Sequence, residues 1–326
     1  MASWPLTPTF RGFDQHYGFY NGAIHYYAHT HPETNASCPL DLHYSPAAKT
    51  KSTPITNRNG SATLNISDYG PFLYSRETVR MIEAHAAAAA QDEDANAVVQ
   101  PMFLYLTHQS THEPIDAPAS YIAKYAATIA DETRRTFAGM VTALDDAVEE
   151  VIVALKAAGF WENTLLIFHA DNGGNLGAAG NNLPLRGGKF SLFEGGTRVV
   201  AFLAGGFLPT SVCGTTSNQL MHEVDIYPTL LALAKPGATP KNTIDGVDQW
   251  HALTTPNAPP ARTGFIYNID SCAFNNHGDY ANFSAIRMGD WKYIDGHVSP
   301  ADEWKPLPSG DDEGAIIFSF MRSKLI

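Results

Sequence analysis

Long apolar runs are missing from this chain. No stretch approaches the ~20 consecutive apolar residues that a membrane-spanning helix requires, which excludes such a helix. Cysteine is scarce: Cys38, Cys213 and Cys272 are too few and too widely spaced for a disulfide framework, and they lack zinc-site spacing. Cationic residues are outnumbered, with 21 Lys and Arg against 33 Asp and Glu, a formal net charge of -12. A nucleic-acid-binding face needs clustered basic residues, so the composition argues against nucleic acid as a partner. The opening, MASWPLTPTFRGFD, has neither a basic nor an apolar stretch and does not read as a secretory signal. No internal repeat is evident.

What is present suits a globular protein. The chain has 326 residues, 44% of them hydrophobic, enough to bury a sizeable core in one large or two smaller domains. Four N-x-S/T triplets stand at Asn35, Asn59, Asn65 and Asn282, three of them in the polar, irregular stretch up to Ser67. A helix is expected from an N-cap near Ser75 through VRMIEAHAAAAA, ending at the acidic QDEDANA. The longest helix should span Glu132 to Gly159, where Phe137, Val141, Leu144, Val148, Val151 and Leu155 recur on one face. Asp145, Asp146, Glu149 and Glu150 fill its opposite side and read as a solvated face rather than a metal site.

Met102 to Thr107 and Thr164 to His169 read as buried strands, followed by Val199 to Ala204. Strands alternating with helices predict an α/β fold with a mainly parallel sheet flanked by helices. MHEVDIYPTLLALA reads as a helix started or kinked at Pro228. Beyond a Pro- and Thr-rich linker, strand candidates at Gly264 to Asn268 and Ser284 to Ile294 suggest a small antiparallel unit. The expected division is a catalytic-type domain over 1–252 and a C-terminal subdomain over 253–326.

Two strand ends carry polar clusters: His112 follows one, and Asp171 and Asn172 follow the other, with Arg186, Lys189 and Arg198 close behind. Asp-Asn-Gly-Gly alone also suits a tight turn. In open α/β sheets, however, ligands bind beyond the carboxyl ends of the strands. A carboxylate beside an amide oxygen suits a hard cation such as Ca²⁺ or Mg²⁺. Lys189 offers a compact positive charge, and His112 a proton exchangeable near neutral pH. The combination points to an anionic ester substrate. His108 and His169 read as structural histidines, and Arg186 as a loop anchor.

These residues lie in segments that resemble the sulfatases, and among them the group containing arylsulfatase B, an N-acetylgalactosamine 4-sulfatase. The resemblance rests on RGFDQHYGFYNGAIHYYAH, PMFLYLTHQSTHEP, FAGMVTALDDAV, GFWENTLLIFHADNGG, GNNLPLRGGKFSLFEGGTR, HEVDIYPTLLALA, DGVD and AIRMGDWKYI, in family order from Arg11 to Ile294. It implies an alkaline-phosphatase-like fold and a lysosomal or secreted enzyme acting on a sulfated carbohydrate or aryl sulfate ester. It also implies that Asp171 and Asn172 are one pair of Ca²⁺ ligands, while Lys189 and His112 contact the sulfate. Arg198 is expected to brace the loop, and Asp225 matches a structural position.

The resemblance also implies parts that the sequence does not contain. A sulfatase nucleophile is a formylglycine made from Cys or Ser in C/S-x-P-x-R, and no such motif occurs here. The family's paired Asp after an N-terminal strand and its Lys-x-His are absent too. All three lie upstream of RGFD in the family, so the chain is expected to be N-terminally incomplete and, as given, inactive. The alternatives are a non-catalytic homologue with a binding or regulatory role, or a related metal-dependent phosphodiesterase.

Overall fold

The computed structural model describes residues 3–31, 40–55, 68–91, 100–274 and 280–296. Cys38, the triplets at Asn35, Asn59 and Asn65, and the tail after residue 296 lie outside them. The described residues divide into two units, one within Met1–Trp161 and the other within Glu162–Pro308. The fold class is α/β, as expected.

In the first unit, strands β1 (His16–Gly18), β2 (His43–Ser45) and β3 (Thr53–Pro54) form a small antiparallel sheet. Helix α1 spans Gly70–Ala90, starting before the expected Ser75 because Pro71 occupies its first turn. Proline suits that position, since its missing N–H would lack an intrahelical partner anyway. Ser75 instead donates its hydroxyl to the Pro71 carbonyl at 3.0 Å, one turn back. After the short α2 (Ala119–Ala123), helix α3 spans Glu132–Ala157, close to expectation. Its N-cap is Asp131, whose carboxylate accepts the Arg134 N–H at 2.6 Å. On the outer side of α3, Asp146 accepts the Tyr121 hydroxyl at 2.7 Å.

Met102 to Thr107 corrects an expectation. Met102, Leu104 and Leu106 pack against the buried cluster formed by Ile82 of α1 and Val151, Ala154 and Leu155 of α3. Phe103 and Tyr105, which alternate with them, are 63% and 66% exposed. The segment has strand periodicity, yet it joins no ladder among the described residues. Alternation records which side chains face a core; a strand also requires a second backbone, which local sequence does not encode.

The second unit holds β4 (Leu166–His169), α4 (Glu194–Thr197), β5 (Ala201–Ala204), α5 (Ile226–Ala234) and α6 (Trp250–Thr254). Strands β4 and β5 pair antiparallel, His169 opposite Ala201, where parallel pairing was expected. A parallel partner needs a crossover that carries the chain back to the opposite end of the sheet, usually along a helix. Residues 170–200 contain only the four-residue α4 and return at the end they left. The described strand pairs are all antiparallel.

The C-terminal antiparallel unit appears as β6 (Gly264–Phe274), β7 (Tyr280–Met288) and β8 (Trp291–Gly296). The expected single strand from Ser284 to Ile294 is thus divided, because Gly289 adopts φ 53° and turns the chain between Met288 and Trp291. Asn282 lies on β7.

Candidate functional site

Beyond His169, the Ala170 N–H bonds to the Val200 carbonyl at 3.1 Å, the last tie to the neighbouring strand, and the chain turns. Asp171 is exposed and Asn172 half-buried. The Asp171 carboxylate accepts the Asn172 N–H at 2.8 Å, and the Asn172 side-chain amide donates to the Gly173 carbonyl at 2.9 Å. Both contacts fix the turn while using one oxygen of Asp171 and the nitrogen end of Asn172. The Asn172 amide oxygen remains the end suited to a cation.

Lys189 belongs to the same piece of structure. Its N–H bonds to the Gly174 carbonyl at 3.1 Å, and its ammonium lies 5.5 Å from the centre of the Phe190 ring. Asn182 braces the loop by accepting the Gly174 N–H at 2.8 Å and donating to the Gly174 and Gly187 carbonyls at 2.9 and 3.1 Å. Arg186 stacks on Phe193, its guanidinium carbon 4.0 Å from the ring centre, in keeping with an anchor.

The glycines here serve the loop's own packing. A Cβ on Gly195 would lie 2.1 Å from the Gly187 carbonyl oxygen, and one on Gly196 would lie 2.4 Å from that of Gly188. Backbone meets backbone at distances that no side chain tolerates.

His112 lies in the first unit. Its N–H bonds to the Gln109 carbonyl at 3.0 Å, and its own carbonyl accepts the Tyr26 hydroxyl at 2.9 Å. Tyr26 is fully buried and stacked on Tyr69 at 4.9 Å, so the backbone of His112 is tied to the core although its side chain is exposed. The ring Nδ1 faces the Glu113 carbonyl at 2.8 Å. A carbonyl only accepts, so Nδ1 carries hydrogen, and the neutral ring keeps its lone pair on Nε2. Nearby, burial pushes the His108 pKa down to about 4, and neither ring nitrogen has a hydrogen-bond partner among the described residues.

Asp225 is fully buried and accepts from Arg262 Nε at 2.9 Å, Gln249 Nε2 at 2.9 Å and the His222 and Val247 N–H groups at 2.9 Å each. Burial pushes its carboxyl up, but these donors outweigh burial and hold it below the ordinary range. It is a structural hub. The residue that sequence reasoning missed is Glu194: it stands in the quoted FEGGTR but receives no role there. Its partners lie far along the chain, and only its place beside two glycines hinted at importance.

The sulfatase family model matches residues 9–236, which include His112, Asp171, Asn172 and Lys189. The chain belongs to the sulfatase family. Sulfatase relatives include arylsulfatase J of Mus musculus, 31% identical over 92% of this chain and 47% of that protein. Arylsulfatase A of Homo sapiens is 32% identical over 63% of this chain and 38% of that protein. Among solved structures, Ps i-CgsB in complex with k-i-k-neocarrahexaose superposes with a TM-score of 0.70 and 25% identity, covering 98% of this chain and 67% of that one. The chain spans about half the length, or less, of these curated sulfatases.

The sulfatase family binds a metal, and the donors here fit one in part. Asp171 and Asn172 supply oxygen ligands, the type that Ca²⁺ prefers. Calcium takes about six to eight oxygens, however, and no cluster of three or more His, Cys, Asp or Glu gathers among the described residues. No helix among them is long and apolar enough to cross a membrane.

Proposed function

We propose that this chain carries part of the sulfate-binding machinery of a sulfuric ester hydrolase acting on sulfated carbohydrates or aryl sulfates, of the arylsulfatase-B-like kind. The observation that carries the reading is the bond from the Lys189 N–H to Gly174, which ties a flexible cation to the turn bearing Asp171 and Asn172. The neocarrahexaose bound to Ps i-CgsB supports a carbohydrate substrate. A lysosomal or secreted location, and a catalytic-type domain over 1–252 followed by a C-terminal subdomain over 253–326, accord with the sulfatase resemblance.

In this reading Lys189 holds the sulfate as a point charge and stabilises charge gathering on its oxygens. For His112, whose Nδ1 faces the Glu113 carbonyl, the sulfatase resemblance implies that Nε2 holds or donates the proton for the leaving oxygen. Asp171 and Asn172 would hold a Ca²⁺ ion, which when bound neutralises sulfate charge. The 326 residues contain no C/S-x-P-x-R from which a formylglycine could form, so this chain alone does not turn over sulfate esters.

That absence favours a second reading: a non-catalytic sulfatase homologue that binds sulfated ligands. A chromogenic aryl sulfate with Ca²⁺ distinguishes them, assayed with this chain and with a version joined to a family N-terminal segment bearing Cys-x-Pro-x-Arg and matured in cells that make formylglycine. Turnover only by the joined form supports the hydrolase. Sulfate binding without turnover in either form supports the homologue. Turnover by this chain that disappears in Lys189→Ala refutes both.

A further inference from the structure

Glu194 opens α4, and its carboxylate faces two cations of the C-terminal sheet. Arg287 Nη1 lies 3.1 Å from Oε2, Lys292 Nζ lies 3.0 Å from Oε1, and the Tyr267 hydroxyl donates to Oε1 at 3.4 Å. Lys292 also donates to Thr197 Oγ1 at 3.0 Å, so one ammonium grips both ends of the short helix. It rests 3.8 Å from the Tyr267 ring centre, where the π face favours a cation. Arg287 and Lys292 stand directly opposite each other on β7 and β8. Two like charges at that register repel unless an anion lies between them, and Glu194 is that anion.

The two residues after Glu194 reach the candidate site through backbone alone. The Gly195 N–H bonds to the Arg186 carbonyl at 2.7 Å, three residues before Lys189. The Gly196 carbonyl accepts the Gly173 N–H at 2.9 Å, next to Asn172. The cluster therefore holds a stretch of chain whose backbone is bonded both to the Lys189 loop and to the Asp171–Asn172 turn.

We propose that Glu194, clamped by Lys292 and Arg287, is a positioning residue that sets Lys189 and the Asp171–Asn172 turn in register with each other. This rests on the sulfate-binding reading above. An anion site needs its donors held to a fraction of an ångström, and Lys189 on its own four-carbon stem does not supply that.

The test uses the full chain with Glu194→Gln, Lys292→Met and Lys292→Arg. Three properties are measured: amide hydrogen exchange at Gly173, Lys189 and Gly195, affinity for inorganic sulfate in the presence of Ca²⁺, and thermal unfolding. Glu194→Gln and Lys292→Met should speed exchange at those amides and weaken sulfate binding, each by about tenfold, the scale of a lost charge-assisted hydrogen bond. Lys292→Arg should restore both. Wild-type exchange at the three amides in folded Glu194→Gln protein overturns the proposal, as does wild-type sulfate affinity in that variant. If Glu194→Gln does not fold, Lys292→Met against Lys292→Arg decides on the same two readouts. If the unsubstituted chain binds no sulfate, the sulfate-binding reading fails, and amide exchange alone decides whether Glu194 sets the loop.

Discussion

Gly173 and Gly195 meet backbone to backbone: a Cβ on Gly173 would lie 1.7 Å from the Gly195 carbonyl oxygen. This contact joins the end of β4 to the start of α4, and it admits no side chain. Gly173→Ala should therefore separate the two segments and cost about 1–3 kcal/mol, the usual range for overpacking. Gly177→Ala is the control, because its Cβ would meet only Asn175 Oδ1, at 3.4 Å. Urea unfolding of both variants checks this; equal midpoints would contradict it.

Asp225 and Arg262 form a buried pair with side chains 0% and 11% exposed. Asp225→Asn leaves the guanidinium without its counter-charge and should destabilise the second unit by about 3–5 kcal/mol. The double variant Asp225→Asn, Arg262→Met should recover part of that loss. A single variant within about 0.5 kcal/mol of wild type, the range of ordinary surface changes, would show that the pair is not structural.

His108 gives the first unit a pH dependence. Burial lowers its pKa to about 4 from 6.5, so the unfolded chain binds the proton more readily than the folded one. Stability from this group is complete above pH 6.5 and is lost as pH falls towards 4, by at most about 3 kcal/mol at 1.36 kcal/mol per unit. Asp116 and Glu150, whose carboxyls burial raises, act in the opposite sense. The comparison is therefore with His108→Phe, whose unfolding free energy should vary less between pH 6.5 and 4. Parallel curves for the two proteins would rule the effect out.

Lys189 and Asp171 should separate by ligand. Lys189→Ala is expected to weaken inorganic sulfate binding by about tenfold or more while sparing Ca²⁺, and Asp171→Ala to weaken Ca²⁺ first. Calorimetric titration with each ion reads both. Identical losses in the two variants would mean that the loop has collapsed rather than lost one ligand.

Much of the local structure was legible. Helix α3 announced itself through an apolar stripe, and β4 through its apolar, β-prone run. The turn at Asp171 and Asn172 was expected where a strand ends, and that is where it lies. Helix α1 starts earlier than expected because Pro71 outweighs Ser75 as a start signal. The strand expected over Met102 to Thr107 kept its alternation but found no ladder, since periodicity is a statement about faces and not about partners.

By itself, then, the sequence determined the elements with a strong period, the residue types at the strand ends and the sulfatase motifs, because each is written within a few consecutive positions. Only the tertiary structure decided that β4 and β5 run antiparallel, because the direction of a pair depends on which end of the sheet the connecting chain returns to. The tertiary structure alone also revealed Glu194. Its contact with Lys292 spans 98 positions, and a side-chain pair at that separation leaves no local pattern, because helical and strand periods relate only near neighbours.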